Sequence, residues 1–207
     1  MSATIEVFSD YVCPFCYLAE QPLADAVEGR DIDIAWRPFE LRPEPTPTLR
    51  PEGDYLQSTW QQVVYPMAER MGVPIVLPEV SPQPYSRLAF EGFQYAVLHG
   101  NAQRYTERMF RAFFVEQRDI GRPEVLADLA RQLGLDAAEF RAALESGRYA
   151  DDHQRALLYA KQQDVTVVPT FVIDDRRLEG MPSAEGLHRL LDGPPPGSRS
   201  QPAAGLR

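Results

Sequence analysis

Cys13 and Cys16 are the only cysteines in the 207 residues, and they bracket Pro14 and Phe15 directly after the apolar run Ile5-Glu6-Val7-Phe8. Two thiols separated by two residues at a strand-to-helix junction are suited to disulfide exchange. A single helical turn brings the sulfurs within bonding reach. If that turn opens a helix, the first sulfur meets unpaired backbone N–H groups and the positive end of the dipole, which favour its thiolate. The thiolate is the attacking species in exchange, so Cys13 would be the nucleophile and Cys16 its resolving partner.

Other chemistries fit these residues less well. Structural zinc takes four ligands, and the cysteines supply two. The three histidines, His99, His153 and His188, lack the close His-x-x-x-His type of spacing that would supply the rest. Isolated as they are, His99 and His153 read as helix-end or surface residues. A permanent disulfide here would close only a tiny loop and constrain the unfolded chain little. Two inert core thiols remain an alternative, but their tight pairing after a strand favours redox chemistry. No metal site is expected.

The elements that must hold this pair can be read on either side of it. Thr4 to Ser9 has the apolar content of a central strand. Pro14 suits the first turn of a helix, where its missing N–H costs nothing. That helix is predicted from Pro14 to Val27, with Leu18, Leu23, Ala26 and Val27 inward and Gly29 ending it. Ile32, Ile34 and Trp36 alternate with Asp31, Asp33 and Ala35, the period-two pattern of a strand. Strands this close, joined through a helix, imply a parallel βαβ unit.

From Pro38 to Pro51 the chain is too rich in proline for a helix or a central strand, and it reads as a linker. Helical patterns follow over Asp54–Met71 (closed by Gly72), Pro84–His99, Arg104–Glu116, Pro123–Leu133, Asp136–Leu144 and Asp151–Gln163, with an extended connection over Pro74–Pro84. The spacing of Met109, Phe110, Phe113 and Phe114 fits a buried helix face, the alternative being an aromatic groove. Strand patterns return at Pro169–Ile173 and Arg177–Glu179, and a closing helix spans Pro182–Leu191, with Ser183 near its start. Residues 193–207 read as a disordered tail.

Bulk properties narrow the partners. A net charge of −9 without a cluster of Lys or Arg argues against nucleic acid and against anionic membranes. No stretch approaches the ~20 apolar residues of a membrane span. Met1-Ser2-Ala3-Thr4 runs into the first strand without a basic or apolar leader, so a cytoplasmic location is expected. A cytosolic Cys-x-x-Cys is more often catalytic or redox-sensing than structural.

The sequence resembles the DsbA-family thioredoxin-like proteins, specifically their cytoplasmic FrnE-like branch. Four segments carry the likeness: Ser9–Leu18, Trp36–Pro43, Phe113–Phe140 and Val167–Ile173, the last reading Val-Val-Pro-Thr-Phe-Val-Ile. The resemblance implies an α/β fold, a thioredoxin-like domain interrupted by an all-helical insertion. Its expected limits are 1–45 and 164–192 for the thioredoxin-like part and 46–163 for the insertion. It also implies a cis Val168–Pro169 bond beside the cysteines, with the Val168 backbone offered to an extended substrate chain. Pro14 and Phe15 would complete the substrate-contacting set. Asp10 and Tyr11, just upstream, are candidates either to tune the thiols or to pack.

There are departures from the family pattern. Phe15 stands where relatives often carry histidine or tryptophan, so no imidazolium from that position supports a Cys13 thiolate. Val165-Thr166-Val167-Val168 lacks glycines common before the proline. No second cysteine pair exists to relay electrons. The activity implied is a cytoplasmic thiol–disulfide oxidoreductase, a reductase or isomerase, with no bound cofactor, acting on protein or small-molecule disulfides. A sister branch, the kappa-class glutathione transferases and 2-hydroxychromene-2-carboxylate isomerases, offers the alternative of a glutathione-dependent enzyme. There a serine typically stands in place of Cys13. Glutathione would then be a co-substrate. A non-catalytic redox sensor is the remaining alternative. The sequence does not determine the oligomeric state.

Overall fold

The apolar run ahead of the cysteines forms β1 (Ala3–Ser9) in the computed structural model, which describes residues 3–193. The alternating segment forms β2 (Ile32–Pro38), paired parallel to β1 with Val7 opposite Trp36. β3 (Thr170–Ile173) and β4 (Arg176–Glu179) return much later in the chain. β3 lies antiparallel to β1, with Val7 opposite Phe171, and β4 lies antiparallel to β3. The sheet order is therefore β2-β1-β3-β4. Ile5, Val7, Phe8 and Phe171 are almost wholly buried, as two interior strands covered on both faces require.

Between β1 and β2 the expected single helix is two. α1 (Pro14–Leu18) and α2 (Glu20–Val27) meet at Ala19. Pro22 is the physical reason: it has no N–H to return to Leu18, and its ring crowds that carbonyl. Proline also shapes the next helical run. α3 (Asp54–Thr59) passes through a π-helical stretch, Trp60–Val64, into α4 (Tyr65–Met71). The Tyr65 N–H donates to the Trp60 carbonyl, a wider turn immediately ahead of Pro66. Gly72 then closes the run at φ +67°, a conformation that glycine adopts without penalty.

α5 (Arg87–Leu98), α6 (Ala102–Phe114), α7 (Pro123–Gln132), α8 (Ala137–Glu145) and α9 (Ala150–Gln162) follow, and α10 (Ala184–Asp192) ends the described fold. α5 starts three residues later than its pattern suggested. Asp136 caps α8 by accepting from the Ala138 and Glu139 N–H groups, and Ser183 caps α10 by accepting from Gly186. α2 and α10 pack together on the sheet, while α6 and α9 pack against β2. This is the thioredoxin-like α/β plan interrupted by an all-helical stretch. The disorder expected beyond Gly193 falls outside the described residues.

Phe110, Phe113 and Phe114 are fully buried, which resolves the aromatic stripe as core and not a groove. Each such ring removed from water is worth about 1.5–3 kcal/mol. Of the helix-end or surface roles expected of His153, the surface one does not hold. The residue is completely buried near the start of α9, stacked on Phe90.

Candidate active site

The turn bearing the cysteines is gripped by aromatic residues on either side of it. Tyr11 stacks on Phe90 at 4.3 Å between ring centroids and meets Phe110 edge-on at 5.4 Å. Its hydroxyl lies 3.2 Å from Thr106 Oγ1. Tyr17 stacks on Phe114 at 5.6 Å and donates its hydroxyl proton to the Pro74 carbonyl at 3.1 Å. The helices between β2 and β3 thus hold the turn between two tyrosines.

Within the turn, Cys13 is the N-cap of α1 and Pro14 its first residue. The Cys13 carbonyl accepts from the Cys16 and Tyr17 N–H groups at 3.1 and 3.3 Å. Both cysteines are free thiols and both are buried. Pro14 and Phe15 are half-buried. The Val168–Pro169 bond is cis, and the Cys13 sulfur lies 3.8 Å from the Val168 carbonyl oxygen. Thr170 fastens this loop by donating its hydroxyl to the Val167 carbonyl at 2.6 Å, and Gly180 donates its N–H to the Pro169 carbonyl at 2.8 Å. Val167 is left 44 % exposed beside them. The six residues singled out from the sequence, Cys13, Pro14, Phe15, Cys16, Val168 and Pro169, therefore lie on two segments joined by the Cys13–Val168 approach.

The two thiols differ in their surroundings. Burial, followed by the hydrogen bond and charge shared with Cys13, pushes the Cys16 thiol well above its ordinary range. It stays protonated until something removes its proton.

Residues 4–192 match the DSBA-like thioredoxin domain. The chain belongs to the DSBA-like family. It is 46% identical over 182 residues to YwbO of Bacillus subtilis (strain 168), a protein itself described as uncharacterized, across 87% of this chain and 91% of that one. It is 24% identical over 180 residues to a 2-hydroxychromene-2-carboxylate isomerase of Pseudomonas putida, across 83% of this chain and 85% of the other. Among solved structures, a probable DsbA oxidoreductase of Streptomyces coelicolor superposes with a TM-score of 0.79 at 24% identity, covering 91% of this chain and 88% of that chain. The cytosolic disulfide reductase DsbM of Pseudomonas aeruginosa, solved with GSH, superposes with a TM-score of 0.65 at 22% identity, covering 91% and 94%.

Around the thiol turn, this DSBA-like domain also gathers acids: Asp10, already a candidate from its place in the sequence, and Glu40 and Glu20, which the sequence did not single out. Burial pushes the Asp10 carboxyl up to about 6, opposed by hydrogen bonds from the Leu41 N–H, the Ser86 hydroxyl and the Val12 N–H and reinforced by the charge of Glu40. Glu40 lies with Oε1 2.5 Å from His153 Nε2, and both side chains are almost completely buried. Glu20 is only half-buried as a residue, but its Oε1 is sealed without a hydrogen-bond partner among the described residues. Burial, with the charge of Glu107, pushes its carboxyl up to about 8. Glu40 sits inside the Trp36–Pro43 segment already noted, which was the one available signal. Nothing in the sequence pairs it with His153, 113 residues away. Among the described residues no group of three or more His, Cys, Asp or Glu side chains could hold a metal ion.

Proposed function

We propose that this protein is a thiol–disulfide oxidoreductase whose nucleophile is Cys13 and whose resolving thiol is Cys16. The observation that carries this reading is the Cys13 sulfur 3.8 Å from the Val168 carbonyl, with Cys16 one helical turn behind it. A substrate disulfide has to approach along the Val167–Pro169 loop. The Val168 backbone, beside the Cys13 sulfur, is suited to pair with an extended chain there, as β-augmentation does elsewhere. Pro14 and Phe15, half-buried next to Cys13, are assigned to the other side of that approach.

The Cys13 thiolate attacks one sulfur of the substrate disulfide. That S–S bond breaks, a mixed disulfide forms, and the departing thiolate takes a proton from water. Cys16 loses its proton and attacks the Cys13 sulfur. The Cys13–Cys16 disulfide closes, the second substrate thiol leaves, and the substrate has gained two electrons. Two thiols from an external donor, glutathione being the natural class, reopen the protein disulfide by the reverse exchange.

The cytosolic disulfide reductase solved with GSH supports a cytoplasmic reductase that uses glutathione as co-substrate; we extend the proposal to isomerase work on protein or small-molecule disulfides. No helix among the described residues is long and apolar enough to cross a membrane. We assign residues 1–45 and 164–192 to the thioredoxin-like unit and 46–163 to an insertion that shapes access to the turn. A small cavity bordered by Val12, Leu41, Pro84 and Ser86 supports that role.

Equilibration with graded ratios of glutathione to its disulfide, with free thiols counted by alkylation and mass spectrometry, tests the proposal. Reversible loss of both thiols together is expected. A persistent single glutathione adduct on Cys13 would overturn it in favour of a glutathione-dependent isomerase or transferase, the reading favoured by the isomerase relative.

A further inference from the structure

Directly ahead of the thiols lies a buried carboxylate that the exchange chemistry does not consume. Asp10 has no exposed surface. Its Oδ1 accepts from the Val12 N–H at 3.3 Å, and its Oδ2 accepts from the Leu41 N–H at 2.7 Å. Its main-chain carbonyl accepts from the Cys13 N–H at 3.0 Å. Val12 and Cys13 lead into the reactive turn, whereas Leu41 lies on the segment leaving β2, 31 residues later. One residue thus joins the nucleophile-bearing turn to a stretch that has no regular structure of its own.

Hiding a carboxylate costs free energy unless strong donors replace its water. A residue needed only for packing would meet no such cost. The bonds that repay it here come from the Val12 N–H, next to the nucleophile, from the Leu41 N–H on the strap facing it, and from the Ser86 hydroxyl.

We propose that Asp10 is a positioning residue for the thiol chemistry: its carboxylate ties the turn carrying Cys13 to the Leu41 strap and so holds the Cys13 sulfur at the Val168 carbonyl. This rests on the exchange reading above. Protonation leaves one carboxyl oxygen bearing a hydrogen, and the two N–H groups can then no longer both be held by charge-assisted bonds. The clamp therefore weakens at acidic pH. The groups facing Asp10 are the Ser86 hydroxyl ahead of α5, Glu40 and Arg42 on the strap, Tyr11 beside it, and the Cys16 sulfur, which takes a hydrogen bond from the Asp10 N–H. His153 on α9 reaches it only through Glu40.

The test uses the reduced full-length protein and a dipyridyl disulfide, which reacts at acidic as well as neutral pH. The rate of Cys13 reaction is divided by the thiolate fraction read from ultraviolet absorbance. In the wild type this normalised rate is expected to fall as pH is lowered through about 6. Asp10→Asn should remove that inflection and lower the rate at pH 8 by about tenfold or more. Leu187→Ala, in the remote α10, controls for lost stability and should leave the normalised profile unchanged. A wild-type profile in Asp10→Asn, or the same loss in Leu187→Ala, overturns the proposal.

Should Asp10→Asn fail to fold, amide hydrogen exchange on the wild type decides the matter. The Val12 and Leu41 amides should lose protection through the same pH range while the Phe171 amide keeps it, and uniform behaviour overturns the proposal. A wild type that reacts at Cys13 but never closes Cys13–Cys16 would sink the exchange reading alone, with the Asp10 effect still measurable.

Discussion

The sulfur of Cys13 and the carbonyl oxygen of Val168 lie 3.8 Å apart although 155 residues separate them in the chain. The approach exists because β1 and β3 are neighbours in the sheet, with Phe8 opposite Thr170. The turn after β1 and the loop before β3 therefore emerge at the same end. A nucleophile and a backbone edge for its substrate are brought together by one strand pairing.

The division of labour between the two thiols predicts opposite outcomes for their serine variants. Cys13→Ser should reduce disulfide exchange to background. Cys16→Ser should still attack a disulfide but stall as a mixed disulfide on Cys13, because the resolving sulfur is gone. Mass spectrometry after incubation with glutathione disulfide should find one glutathione per Cys16→Ser chain and none on Cys13→Ser. Equal labelling of both variants would refute the assignment.

Alkylation of the reduced wild type should also be unequal. Burial and the adjoining Cys13 sulfur keep the Cys16 thiol protonated well beyond the usual range. Brief iodoacetamide treatment between pH 7 and 8 should modify Cys13 alone, with Cys16 labelled only after unfolding. Peptide mapping that finds Cys16 labelled first would contradict the environment described.

Glu20 gives a stability prediction with a definite sign. Its folded carboxyl titrates near 8, raised from 4.5 by burial and by Glu107. The folded state therefore holds the proton more tightly than the unfolded chain does. The charge is harmless below the unfolded value, and its cost grows as pH rises toward the folded one. Glu20→Gln should stabilise the protein at pH 8.5 by about 1–3 kcal/mol, discounted for the side chain's partial exposure, and hardly at all at pH 4. Urea unfolding at the two pH values measures the difference. An equal effect at both would discard the buried-charge explanation.

The Glu40–His153 pair is buried at both ends, so removing one partner strands the other. His153→Ala should cost about 3–5 kcal/mol by leaving the Glu40 carboxylate unpaired. Replacing both residues with glutamine, which preserves a hydrogen bond without charge, should cost less than His153→Ala alone. Thermal melts of the single and double variants provide the comparison. A double variant less stable than His153→Ala would mean that packing, and not the charge, governs the site.

Local chemistry determined much of this protein. The Cys-x-x-Cys turn, the proline at the first helical residue, the alternating strand and the apolar helix faces are short-range patterns, and each appears where its residues indicated. An aspartate and a serine cap the starts of α8 and α10, and left-handed glycines close or follow several helix ends, as at Gly72 and Gly134. What the chain could not declare locally were the consequences of proline inside helices and the partners of buried polar groups. Pro22 and Pro66 sit among good helix formers, and only the continuing backbone chooses between a break at Ala19 and a widened π turn before Tyr65. His153 looks like an ordinary surface histidine because its partner, Glu40, is 113 residues away. Asp10 sits beside the cysteines in the sequence, yet its hold on Leu41 depends on β2 having paired with β1. The type and spacing of the reactive groups are properties of the sequence. The burial that sets their protonation, and the contacts that aim them, arise only when distant segments pack together and exclude water.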